Sequence, residues 1–311
     1  MLGLEGSAAV AAGLSANIGD DISQLLAQHF MVNALRAGTI VAVVAGAMGW
    51  FMVLRRQTFA GHTLALVSFP GAAGAILLGV SASLGYFGAA VAAALVIAMV
   101  PRSTSGRAFS QESAVIGTVQ AFALACGALF VSLYGGFLNS LIGLLFGTFL
   151  GISDTQVATL FAVAVVALAV LGAIARPLFF ATVDPDVARA RGVPVRGVST
   201  VFLVLLGCAA AEVSQITGAL LVFALLVMPA AAAQQLTARP ALSLTLTIAF
   251  GIATVWIGLG AAYFSVYPVG FFVTTVGFAI FVAATLWRVA AGRPAHRPPG
   301  EARPPGEARP R

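Results

Sequence analysis

The sequence predicts an all-α protein, a polytopic membrane bundle of about nine transmembrane helices. Sixty per cent of its 311 residues are hydrophobic and only 8% are charged, and the mean hydropathy is +1.03. Soluble domains are far more polar, so this composition excludes a water-soluble core. A pI of about 10.3 would suggest nucleic acid in a soluble protein, but here membrane topology explains the charge, and the expected partner is the lipid bilayer.

Nine stretches of the chain meet the length of about 20 apolar residues that a membrane helix needs. We place them at 31–54, 63–83, 85–101, 114–134, 157–180, 198–216, 218–236, 241–263 and 269–287. Within residues 138–153, the run from Leu141 to Leu150 is apolar but too short to cross, so we predict a re-entrant or interfacial segment there. The expected number of crossings is therefore eight to nine.

Arginine residues mark alternate connections between these spans. They follow spans one, three, five, seven and nine, whereas the other connections are almost uncharged. The positive-inside rule therefore predicts an N-terminus outside the cell and a C-terminus in the cytoplasm. Residues 1–29 form the predicted extracytoplasmic segment and residues 30–290 the membrane domain. Residues 291–311 are rich in Arg and Pro and repeat RPPGEA, so we predict a disordered cytoplasmic tail.

A short polar helix is predicted between the fifth and sixth spans, at residues 184–193. Asp184 suits the N-cap, and Gly192 suits the left-handed position that follows a helix. Arg189 and Arg191 lie near the carboxyl end, where the helix dipole favours positive charge. Because two turns are marginally stable in water, this helix must pack against something. The residues alone leave open a docking helix for a cytoplasmic protein and a surface helix on the bilayer.

Glu212 is the one carboxylate predicted inside a span. A charge facing the bilayer centre costs about 2.5–3.5 kcal/mol, so Glu212 should face protein or water. Gln215 follows three residues later on the same side of the helix, and the pair could line a substrate path. The alternative is a protonated or hydrogen-bonded structural Glu near the outer end of the sixth span.

His62 is a candidate metal ligand or gating residue near the start of the second span. The alternative is a hydrogen-bonded structural histidine at the interface. Ser68 offers a nearby oxygen, which is a weak neutral ligand. With His29 and His296 the only other histidines of the chain, a His-rich metal store is excluded. The predicted pathway residues are His62, Ser68, Glu212 and Gln215.

Three stretches of the sequence carry family-like motifs. They read GWFMVLRRQTFAGHTLALVSFPGAAGAILLG at 49–79, DPDVARARGV at 184–193 and TGALLVFALLVMPAAAA at 217–233. Together they resemble the permease subunits of the ABC-3 family, the membrane half of bacterial zinc, manganese and iron ATP-binding-cassette importers. The resemblance covers roughly residues 30–290. It implies a type II importer-like bundle in the bacterial cell membrane.

The resemblance also implies partners and a division of labour. Residues 184–193 would be the coupling helix, which docks in a cleft of a cytoplasmic ABC ATPase. A second permease copy, identical or not, and an extracytoplasmic substrate-binding protein would complete the importer. The chain contains no Lys and hence no P-loop, so we expect no catalytic residue and no bound cofactor here, with ATP and Mg²⁺ used by the partner. The predicted coupling residues are Asp184, Ala188, Arg189, Arg191 and Gly192.

The chain departs from the family at its usual metal-contact motif. Family members commonly read G-D-x-L-x-H, and alignment on Gly61 puts His62 at the Asp position and Leu66 at the His position. His62 offers one nitrogen ligand and Leu66 offers none, so the usual pair is missing. A translocation pathway need not bind its substrate tightly, because a substrate held strongly would not leave it. The poor ligand set therefore does not exclude a transported metal ion.

Two rival functional classes make different predictions. A secondary transporter or channel driven by an ion gradient, with Glu212 as the ion or proton site, would favour two related halves, and the sequence shows no clear internal repeat. An intramembrane enzyme is disfavoured because His62 and Ser68 lie about 240° apart around one helix. Within ATP-driven import, a permease for a metal chelate or a vitamin remains an alternative.

Overall fold

The fold is a bundle of α-helices. The computed structural model describes residues 18–99, 106–133, 151–219, 221–265 and 267–292, and no β-strand occurs within these ranges. The helices are α1 (Ile18–Ala27), α2 (His29–Leu54), α3 (Thr58–Leu77), α4 (Ala82–Met99), α5 (Gly106–Leu133), α6 (Asp154–Val183), α7 (Pro185–Ala190), α8 (Val195–Thr217), α9 (Val222–Leu236), α10 (Pro240–Tyr263) and α11 (Val269–Ala290). The predicted all-α membrane bundle is confirmed.

Eight of these helices, α2 to α6 with α8, α10 and α11, are long and apolar enough to cross a membrane. Each overlaps a predicted span. The predicted segment 138–153 lies outside the described residues except for its last three, as do the N-terminal residues 1–17 and the tail from residue 293.

The predicted seventh span at 218–236 is the one that differs. The helix α9 begins at Val222, four residues later than predicted, because Gly218 adopts a φ of 77° and ends α8. Its 15 residues extend about 22 Å at 1.5 Å per residue, less than the roughly 30 Å hydrocarbon core. Thr217, Gly218 and Ala219 are buried, and irregular backbone at membrane depth is tolerated where protein covers it.

The helices α2 and α8 form the centre of the bundle. In the most apolar 18-residue stretch of each helix, 72% of the residues are buried, compared with 11% in α5. α2 packs against α6, α8, α9 and α10, and α8 packs against α3, α4 and α6. Between them, these two helices therefore contact α3, α4, α6, α9 and α10.

One end of the bundle is held together around Trp50, near the end of α2. Its indole N–H donates to the hydroxyl of Ser243 in α10 at 3.0 Å, and its backbone oxygen accepts from the amide of Gln234 in α9 at 2.9 Å. Its ring stacks on Phe179 of α6 at a centroid distance of 6.2 Å. Four helices are thus joined at the same end as the short helix α7.

Candidate functional site

The N-terminus of α7 forms as the sequence predicts. The Asp184 carboxylate accepts a hydrogen bond from the backbone N–H of Val187 at 2.9 Å, and Pro185 occupies the first turn. This side chain satisfies one of the amides that a helix start leaves without an intrahelical partner. The predicted N-cap is confirmed.

The C-terminus of α7 ends in a Schellman motif. Gly192 has a φ of 81°, and its N–H donates to the carbonyl of Arg189 at 2.9 Å. The N–H of Val193 donates to the carbonyl of Ala188 at 3.0 Å. Both bonds are those of the motif, and the left-handed residue between them favours glycine. The predicted role of Gly192 as the helix end is confirmed, and the helix is short because both ends are capped.

One side of α7 is anchored and the other is exposed. Ala188 is fully buried where α7 packs on α6 and α8, whereas Val187 is 45% exposed. The guanidinium of Arg189 pairs with the carboxylate of Asp186 at 2.6 Å, and both side chains are exposed. Exposed pairs of this kind contribute little, roughly 0.3–0.5 kcal/mol, so Arg189 is easily released. Arg191 is exposed and forms no ion pair among the described residues.

His62, the predicted metal ligand, lies against an aromatic ring. Its imidazole meets the ring of Phe223 in α9 with centroids 4.9 Å apart and an interplanar angle of 71°. Its Nδ1 is buried without a hydrogen-bond partner among the described residues. Ser68 lies in the interior, and its hydroxyl donates to the carbonyl of Leu64 in its own helix at 2.9 Å.

Glu212 and Gln215 have different surroundings, although their spacing predicts that they share one side of the helix. Glu212 is fully buried, and neither carboxylate oxygen has a hydrogen-bond partner in the part of the chain that the structure describes. The side-chain oxygen of Gln215 accepts from the hydroxyl of Ser83 in α4 at 2.7 Å. Gln215 lines a cavity of about 130 Å³ between α4, α6 and α8, which Glu212 does not reach.

The hydrogen bonds and ring contacts described for the four predicted pathway residues do not join them to one another. His62, Ser68 and Gln215 each contact a different neighbour, and the Glu212 carboxylate has no hydrogen-bond partner among the described residues. No group of three or more His, Cys, Asp or Glu side chains suited to a metal ion occurs within the described ranges. The shape that stands out is instead the capped helix α7 between two long spans.

Arg55, one of the arginines that mark the connection after the first span, makes contacts that its sequence position does not predict. Its guanidinium donates to hydroxyls of Thr182 in α6 and Ser199 in α8, which lie 127 and 144 residues away in the chain. No local spacing links residues so distant, so no sequence signal could have predicted these contacts.

The sequence and the fold both resemble those of known transport proteins. Residues 27–288 match the ABC 3 transport family. The chain is 30% identical over 267 residues to the manganese transport system membrane protein MntC of Halalkalibacterium halodurans, covering 86% of this chain and 88% of that protein. It is 29% identical over 269 residues to the chelated iron transport system membrane protein YfeC of Yersinia pestis, covering 86% and 90%. The fold is similar to PsaBC from Streptococcus pneumoniae in complex with Fab, with a TM-score of 0.76, 26% identity and coverage of 86% and 95%.

Proposed function

Since this chain belongs to the ABC 3 transport family, we propose that it is the membrane permease of an ATP-driven importer for a divalent transition metal. Relatives named for manganese and chelated iron transport support the cargo class. Its partners are a cytoplasmic ABC ATPase, an extracytoplasmic substrate-binding protein and a second permease copy. ATP hydrolysis and its Mg²⁺ belong to the ATPase.

The observation that carries this proposal is the capped helix α7. Buried Ala188 fixes it to α6 and α8, and exposed Val187 and Arg191 face away from the bundle. This geometry suits a coupling helix, because a rigid, capped helix transmits movement better than a flexible loop. The ATPase binds the exposed side of α7. When the ATPase closes, α6 and α8 move, and the permease alternates between outward and inward access.

The proposed orientation is supported by the end of the bundle at which α7 lies. Arg55 bonds to the residues that flank α7, and Trp50 bonds to Ser243 in the first turn of α10, just after Arg239. Arginine connections thus share this end with α7. By the positive-inside rule it faces the cytoplasm, with the N-terminus outside.

His62 is the pathway contact that we propose for the metal. It supplies an imidazole nitrogen that has no hydrogen-bond partner in the described part of the chain and lies beside Phe223. A single weak ligand allows the ion to leave again. Selectivity then depends mainly on the external binding protein. Ser68, Glu212 and Gln215 stay predictions as pathway residues.

Metal uptake by the complete transporter tests the function. Proteoliposomes that contain the permease with its ATPase, supplied with binding protein, should accumulate manganese, iron or zinc only when ATP is present. Uptake that follows a proton gradient without ATP would contradict the proposal and favour the transporter in which Glu212 is the ion site.

The variant His62→Ala should lower metal uptake by about tenfold, the effect of losing about 1.4 kcal/mol of contact energy. ATPase co-purification should not change, because His62 lies in α3 and not in α7. His29→Ala is the matched control, since His29 pairs with Asp154 at an exposed position. Equal uptake in the two variants would remove His62 from the pathway.

A further inference from the structure

Arg55 joins three parts of the chain through one guanidinium group. It is the C-cap residue of α2. Its Nη1 donates to the hydroxyl of Thr182 at 2.9 Å, its Nη2 to the hydroxyl of Ser199 at 2.7 Å, and its Nε to the side-chain oxygen of Gln57 at 3.2 Å. The guanidinium carbon lies 5.4 Å from the ring centroid of Phe202. All three guanidinium nitrogens are therefore engaged.

The two hydroxyls belong to residues that flank α7, one before it in the chain and one after it. Thr182 is the penultimate residue of α6, and Ser199 lies in the second turn of α8. The chain between them contains α7. Arg55 therefore contacts both the end of α6 and the start of α8, which we call the two arms of α7. The Thr182 hydroxyl gives its own proton to the carbonyl of Leu178 at 2.6 Å, which leaves its lone pairs to accept from Arg55.

A guanidinium suits this position better than an ammonium. Its planar fork presents donors in fixed directions to two acceptors at once, and its face stacks on an aromatic ring. Lysine would offer one point charge on a flexible stem and could not hold both hydroxyls in the same geometry. The arrangement thus requires Arg55 itself and not only a positive charge.

The helix α2 extends the connection into the bundle. Trp50, five residues before Arg55, is hydrogen-bonded to Ser243 of α10 and Gln234 of α9. A displacement of the arms of α7 that Arg55 passes to α2 therefore reaches α9 and α10 through these two bonds.

We propose that Arg55 is a positioning residue that couples the two arms of α7 to α2, so that movement of α7 is transmitted to the bundle. This inference rests on the proposed coupling role of α7. It predicts a specific defect: variants at Arg55 should bind the ATPase and hydrolyse ATP, but they should import less metal for each ATP consumed.

The test uses the complete transporter with Arg55→Lys and Arg55→Gln. Metal uptake per ATP hydrolysed should fall roughly tenfold in both variants, a size within the range of coupling effects, while ATPase co-purification and thermal stability stay close to those of the parent. Arg56→Gln is the matched control, because Arg56 is the adjacent arginine of the same connection and is exposed. Its uptake per ATP should be unchanged.

Variants of the acceptors separate a coupling role from a purely structural one. Thr182→Val and Ser199→Ala remove the hydroxyls without altering Arg55, and each should lower uptake per ATP. Combined with Arg55→Gln they should add no further loss, because all three changes break the same contacts. These two variants also supply the test if Arg55→Gln does not fold.

Three outcomes are distinguishable. Absence of ATP-dependent uptake by the parent transporter would refute the proposed function itself. Normal uptake per ATP in the Arg55 variants, in a parent that does couple, would refute only the inference. Losses that match the fall in folded transporter, or that add fully to those of Thr182→Val and Ser199→Ala, would also refute it.

Discussion

Replacing Gly49 by valine is expected to prevent assembly of the membrane domain. Gly49 lies in α2 where the backbone of α9 passes directly over it. A Cβ atom at this position would collide with the carbonyl oxygen of Leu226 and would lie 2.9 Å from its carbonyl carbon and 3.2 Å from its Cα. Backbone atoms cannot rotate away as a side chain can, so α2 and α9 would have to separate.

The expected cost of this variant is about 3 kcal/mol, at the upper end of overpacking effects. Small residues allow membrane helices to approach this closely, and packing of this kind drives their association. The measurement is the yield of monodisperse permease in detergent together with its midpoint of thermal unfolding. Both should fall sharply for Gly49→Val.

Gly172→Val is the control for this prediction. Gly172 lies within α6, another long span, and an added Cβ there would meet no atom of the described residues within 4 Å. Its yield and unfolding midpoint should therefore stay near those of the parent. Equal behaviour of the two variants would mean that α2 and α9 do not cross at Gly49.

The second large effect is expected for Gly192→Val, at the end of α7, the proposed coupling helix. Valine at a φ of 81° costs about 1–2 kcal/mol or more, because its Cβ meets the neighbouring carbonyl oxygen. The last turn of α7 should therefore unwind and misplace Arg191. We expect the affinity for the ATPase to fall about tenfold, which corresponds to 1.4 kcal/mol, while membrane insertion and thermal stability survive.

Gly197→Val provides the comparison, since it makes the same change five residues later in the first turns of α8. An added Cβ there has only one neighbour, Pro194 at an ordinary 3.9 Å, and Gly197 has no positive φ. ATPase co-purification should be normal. Unchanged co-purification and ATPase stimulation in Gly192→Val would count against α7 as the coupling helix.

Features that depend on neighbouring residues were predictable from the sequence. The caps at Asp184 and Gly192 follow from local chemistry, and the long spans follow from runs of apolar residues. The pairing of Arg189 with Asp186 also lies within reach of sequence reasoning, because residues three apart face each other on a helix. The role predicted for Arg189 was instead contact with the partner ATPase, and that role stays a prediction.

Features set by tertiary packing were not predictable. Hydropathy extends the seventh span back to residue 218, because Gly218 and its neighbours are as apolar as the helix that follows. Their irregular backbone depends on burial by the surrounding helices. Likewise, spacing places Glu212 and Gln215 on one side of α8, yet Gln215 lines the cavity between α4, α6 and α8 and Glu212 does not, since the packing of α4 and α6 decides where that space is left open.

The location of α7 can be measured by labelling a cysteine on its exposed side. Val187→Cys, in a background without Cys126 and Cys208, is treated with a membrane-impermeant maleimide in intact cells and in inverted membrane vesicles. A coupling helix predicts no reaction in intact cells, reaction in inverted vesicles, and protection when the ATPase is bound. Reaction from outside intact cells, or equal reaction in inverted vesicles with and without the ATPase, would contradict it.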